Sequence, residues 1–146
     1  MSYVTSYYHV VFGTFERHQT LNREHSDDLY AVIGSQIHQL HSKALIINGV
    51  QDHIHILLSL SPMVALSDLM RNVKSQSSVW AKASGFFSHF RGWSKEYGAF
   101  SLSASHKDAV YKYIEQQREH HLVATTDAEF ERLVTKAGLQ FFRDNY

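Results

Sequence analysis

From Asp52 to Leu60 the chain alternates. Ile54, Ile56, Leu58 and Leu60 fall on one side of an extended strand, His53 and His55 on the other. A first strand is expected over Tyr3 to Phe15, which is rich in β-branched and aromatic residues, followed by a polar loop from Glu16 to Asn22. Leu29, Val32, Ile33, Ile37 and Leu40 recur at helical spacing, which predicts a helix over roughly 24–41. Ala44 to Val50 reads as a second strand, and the short step from Asn48-Gly49 to the histidines implies an antiparallel hairpin. Pro62 stops the third strand. With Ser67 as N-cap, Leu66, Leu69, Met70, Val73, Ser77 and Trp80 form a helical stripe to about Ala83. Gly85 to Gly98 is aromatic and irregular, Ala99 to Ser103 reads as a fourth strand, and helices follow over about 107–123 and 127–137.

The order β-α-β-β-α-β followed by two helices predicts an α+β, ferredoxin-like split βαβ sandwich with an antiparallel sheet. Two helices cover one sheet face. His53 and His55 belong to the open face, where the helix from Lys107 can pack. At 146 residues, without repeat, linker or low-complexity tract, residues 1–146 are expected to form one domain. The chain has no Cys, which removes disulfides, thiolate metal sites and thiol nucleophiles. It has no apolar run of membrane-spanning length and no basic-then-apolar leader, so a cytoplasmic protein without membrane attachment is expected. Lys+Arg and Asp+Glu both number 14, so any nucleic-acid contact must come from a local groove rather than a bulk basic excess.

Two imidazoles side by side on a rigid strand are half of a divalent-metal site; the plain alternative is a pair of solvent-facing strand histidines. Sixty residues on, Tyr113 and Gln117 are spaced to share a helical face, although on spacing alone the simpler reading is Tyr113 as core beside Val110 and Ile114 with Gln117 on the rim. Taken together, His53, His55 and the Gln117 amide oxygen form a three-ligand set suited to Mg²⁺ or Mn²⁺, although imidazole also accepts Zn²⁺. Tyr113 stands nearby as a nucleophile for a phosphodiester.

The ordered segments Tyr8-His9-Val10-Val11-Phe12, Asn48 to Leu57, Leu66-Ser67-Asp68-Leu69, Tyr97 to Ser101 and Tyr113 to His121 are similar to the small single-tyrosine HUH transposases of bacterial insertion sequences, including their REP-associated relatives. The resemblance implies that His53, His55 and Gln117 are metal ligands and Tyr113 the nucleophile. It implies a DNA transposase that cleaves single-stranded DNA with hairpin ends, leaves a 5′-phosphotyrosine and a free 3′-hydroxyl, and works as a homodimer. Relatives often carry a basic cluster after the first strand, where this chain has Phe15-Glu16-Arg17-His18-Gln19.

Tyr111 lies on a different helical face from Tyr113. His9 can share the open sheet face with a structural role, and Asp52 can hold an imidazole N–H or simply end the hairpin turn. His120 and His121 suit an exposed helix end. Among the candidate phosphate contacts, Arg17, Arg71 and Lys74 stand out, the last two together on the second helix. Phe86, Phe87, Phe90 and Trp93 could stack bases or pack inside. The competing class is a non-catalytic DNA- or RNA-hairpin module derived from such an enzyme. A replication-initiator or relaxase nickase is a third reading.

Overall fold

The computed structural model describes residues 2–120 and 125–139. Four antiparallel strands form one sheet in the order β2-β3-β1-β4. They are β1 (Tyr7–Gly13), β2 (Lys43–Gly49), β3 (His53–Ser59) and β4 (Gly98–Leu102). Helices α1 (Ser26–Gln39) and α2 (Leu66–Ser84) pack on one face. Leu29, Ile33, Ile37, Leu69, Met70 and Val73 meet Val10, Phe12, Ile54, Ile56 and Leu58 there in the main core. The expected split βαβ arrangement is what the chain forms, and the alternation of β3 explains its direction, with the isoleucines under the helices.

The expected open face is covered. Helices α3 (Lys107–Glu115) and α5 (Thr126–Lys136) lie over it, and Val11, Phe130 and Val134 form a second, smaller cluster with Phe100 and Leu133. His53 and His55 are therefore fully buried.

Element ends differ from the pattern for local reasons. β1 is shorter than 3–15 because its partners run out: Tyr7 already faces Ser59 and Leu102. Past Gly13 only the single bridge Thr14–Trp93 continues, and Glu16 and Arg17 turn the chain in left-handed conformations (φ 52° and 57°). A 3₁₀ turn at Arg23–His25, capped by Asn22 accepting from the His25 N–H at 3.0 Å, precedes α1. Ser67 is not the N-cap of α2. Ala65 is, and its carbonyl accepts from the Asp68 and Leu69 N–H groups, so no side chain caps this end.

The helix expected over 107–123 breaks at Gln116 into α3 and the short α4 (Gln117–His120); its remainder lies outside the described residues. Asn48 of β2 donates to the carbonyls of Ile114 (3.0 Å) and Glu115 (3.1 Å), which ends α3 against the sheet. Phe87, Phe90 and Trp93 of the irregular segment belong to the core, where the Trp93 indole donates to Ser77 Oγ at 2.9 Å.

The β2–β3 hairpin is tight: a Cβ on Gly49 would lie 2.3 Å from the His53 carbonyl oxygen. Gly49→Ala should therefore cost about 1–3 kcal/mol, the usual range for overpacking. Gly34→Ala, inside α1 with only Ile47 Cδ1 near at 3.9 Å, should stabilise by about 0.5–1 kcal/mol. Thermal melting checks both signs.

Candidate active site

The site starts from the pleat of β3. His53 and His55 point into the layer under α3 and α5, and each imidazole is held from behind. His53 Nδ1 lies 2.8 Å from Asp52 Oδ1, and Thr126 of α5 places its hydroxyl 2.9 and 3.0 Å from the two Asp52 oxygens. His55 Nδ1 lies 2.7 Å from Nε2 of His9, which sits diagonally across from it on β1, where Val11 is the residue directly opposite. Burial, then the neighbouring His55, holds the His9 pKa down to about 3, so His9 is a neutral partner. Burial pushes His53 down, but its bonds to Asp52 and Glu129 and their charges together outweigh this and raise its pKa. With Nδ1 committed on both rings, the two Nε2 atoms face the same point.

That point is occupied by a residue the sequence pattern did not single out. Glu129 of α5 is 2% exposed. Its Oε1 lies 3.1 Å from Nε2 of His53 and 3.1 Å from Nε2 of His55. Its Oε2 accepts from the Tyr113 hydroxyl and, at 3.1 Å, from Gln117 Nε2. All four expected residues thus meet around one carboxylate. Although the helix breaks between Tyr113 and Gln117, both side chains reach the same oxygen, and they do so within one chain. Burial first, then the bond to Glu129 and its charge, pushes the Tyr113 pKa up to about 12, so it is a phenol at neutral pH.

The donor set fits a divalent cation. One ligand atom from each of His53, His55 and Glu129 lies within 4.8 Å of the others. The Gln117 amide oxygen is buried without a hydrogen-bond partner. A buried carboxylate and an orphaned amide oxygen both carry a desolvation cost that a cation would offset. Imidazole nitrogen with oxygen donors and no sulfur is a donor set for a divalent cation.

Along the sequence, the chain matches the family described as IS200-like transposases over residues 2–117. The protein belongs to this family. The ISDra2 transposase TnpA of Deinococcus radiodurans is 26% identical over 117 residues, covering 77% of this chain and 84% of that protein. Two solved structures share the fold. One, a candidate transposase from D. radiodurans R1, superposes with TM-score 0.61 at 23% identity, over 80% of this chain and 95% of that one. The other, a REP-associated tyrosine transposase bound to a REP hairpin, superposes with TM-score 0.62 at 14% identity, over 83% and 72%.

In this IS200-like transposase the matched stretch holds His53, His55, Tyr113 and Gln117 and ends before α5, which brings Glu129 and Thr126. The signal for Glu129 was its position: Thr126, Phe130 and Val134 with Glu129 make the buried face of α5, so a charge sits on an apolar stripe. Of the candidate phosphate contacts, Arg17 lies beside the site and pairs with Asp127 of α5. Arg71 and Lys74 lie on α2, beyond the other face of the sheet, where Arg71 pairs with Asp68 and Lys74 donates to the Lys95 carbonyl at 2.9 Å. Tyr111 is exposed and away from the cluster. His121 falls outside the described residues.

Calorimetric titration with Mn²⁺ should show at least about tenfold weaker binding for His53→Ala and for Glu129→Ala. Asp52→Asn, which loosens His53 from behind, should cost about 10–100-fold. An unchanged titration for Glu129→Ala would take the carboxylate out of the ligand set.

Proposed function

We propose that this transposase cleaves and rejoins single-stranded DNA at insertion-sequence ends through a covalent bond between Tyr113 and a 5′ phosphate. The supporting observation is that one carboxylate faces the Tyr113 hydroxyl with one oxygen and both histidine Nε2 atoms with the other. A phosphodiester is also a small anion with two outward oxygens. Drawn to a cation held by the two Nε2 atoms and Glu129, it would present phosphorus to Tyr113.

The Tyr113 oxygen attacks phosphorus, and the bond to the 3′ oxygen breaks. The strand is left with a free 3′-hydroxyl, and the protein with a 5′-phosphotyrosine. The phenol already donates to Glu129, which gives its proton a route off oxygen as attack proceeds. A Mg²⁺ or Mn²⁺ ion held by His53, His55, the Gln117 amide oxygen and Glu129 would polarise a phosphodiester oxygen. Asp52 and His9 orient the imidazoles. The phosphotyrosine retains the energy of the broken bond, so a second 3′-hydroxyl can displace Tyr113 and restore a continuous strand without a nucleotide cofactor.

The DNA partner in this reading is a single strand bearing a hairpin, in line with the hairpin-bound neighbour structure. Arg17 would meet the strand near the site. Arg71 and Lys74 would meet phosphates at a cleft of about 510 Å³ between α2 and the segment 92–97. A homodimer is part of the same reading, and light scattering decides it. Among the described residues no helix is long and apolar enough to cross a membrane.

A denaturing gel tests the chemistry. With labelled single-stranded DNA from the flanks of its own gene and Mn²⁺, the protein should give a slower band that Tyr113→Phe and chelator abolish and Tyr111→Phe keeps. A hairpin-binding module without catalysis would retain DNA in a native gel and form no such band.

A further inference from the structure

Behind the histidines, on the side of Asp52 away from Tyr113, lies a cavity of about 830 Å³. We infer that it holds one unpaired nucleotide of the DNA strand whose phosphodiester enters the metal site. This inference rests on the strand-transfer reading above.

Three guanidinium groups line the cavity from three separate elements: Arg17 in the turn after β1, Arg23 in the 3₁₀ turn before α1, and Arg118 in α4. Glu16, Asp52 and Asp127 line it too, so its formal charge is balanced, but among the described residues Arg23 and Arg118 make no ion pair and keep planar, permanently charged donors for an anion. Each of the three carboxylates has a partner of its own. Asp127 pairs with Arg17, and Asp52 faces Thr126 and His53. Glu16, at the rim, lies 3.5 Å from His18. Arg118 is steadied by donating to Ser26 Oγ at 3.1 Å. The mostly buried ring of Tyr30 supplies an apolar wall, and the exposed Gln51 amide at the mouth offers both a donor and an acceptor.

Arginine donors beside an aromatic wall are the combination that binds unpaired nucleotides: charge for the phosphate, a flat surface for the base. The volume falls within the range of about 300–1,000 Å³ typical of sites for a single small ligand. The cavity also joins the reaction centre. Asp52 lines it and at the same time holds His53 Nδ1, so a strand filling the cavity lies one side chain away from the imidazole.

The test is fluorescence anisotropy with a labelled single-stranded octanucleotide over a range of salt, in the presence of Mn²⁺. The double variant Arg23→Gln/Arg118→Gln should bind at least about tenfold more weakly, and the slope of log affinity against log salt should fall by about 1.4, as for two lost single-strand phosphate contacts. Glu16→Gln should bind more tightly, and Lys43→Gln, at the far end of β2, should match the unaltered protein. Arg23→Gln alone, at an exposed position away from any helix contact of Arg118, should show a partial loss with an unchanged melting curve.

Unaltered affinity and slope in the double variant would overturn the inference. So would an equal loss in Lys43→Gln. Covalent-adduct formation in the gel is read separately. Adduct without dependence on the arginines overturns the nucleotide site alone. Arginine-dependent binding without adduct supports that site and overturns the strand-transfer reading.

Discussion

A carboxylate sealed inside the protein organises everything around it. Glu129 is almost wholly buried, and a charge out of water is tolerated only when its oxygens are surrounded by donors or by a cation. Two histidines, a tyrosine and a glutamine supply those partners. Apart from the two histidines, which share a face of β3, they come from separate elements. β3 sets the histidines, the end of α3 sets Tyr113, α4 sets Gln117, and α5 carries the carboxylate. Removing the carboxylate would leave two imidazoles and a phenol facing an empty buried centre.

The sheet makes this precise enough for chemistry. β3 is the inner strand between β2 and β1, so its backbone is fixed on both edges, and the isoleucines on its other face are locked into the main core. The histidine rings are then held at their far nitrogens by Asp52 and His9. Helix α5 is attached more lightly. Among the described residues its buried apolar side chains belong to the small cluster around Val11 and Phe100, and its polar ties include Arg17–Asp127, Thr126–Asp52 and the bonds of Glu129.

Much of this was legible in the sequence where periodicity is strict. The two-residue period of β3 put both histidines on one face and the isoleucines on the other, and the order of elements gave the sheet. The burial of that face was less legible, because it depends on where the late helices dock. The break at Gln116 left no mark in the pattern, since it comes from Asn48 reaching across from β2 to take the carbonyls of Ile114 and Glu115. Glu129 was hidden among Asp127, Glu129 and Glu131, which look like ordinary acidic residues near a helix N-terminus. Its place on the buried stripe with Thr126, Phe130 and Val134 was the available clue. Ser67 misled for the opposite reason: its residue type favours a cap, but the backbone enters α2 two residues earlier.

Side chains from separate elements are placed to converge on one divalent ion beside Tyr113. Anomalous diffraction from a crystal soaked in Mn²⁺ tests this convergence most directly. A single strong peak is expected, bounded by Nε2 of His53, Nε2 of His55 and the Glu129 carboxylate, next to the Gln117 amide oxygen. A well-diffracting soaked crystal with no peak there, or with its peak on other residues, would contradict the convergence.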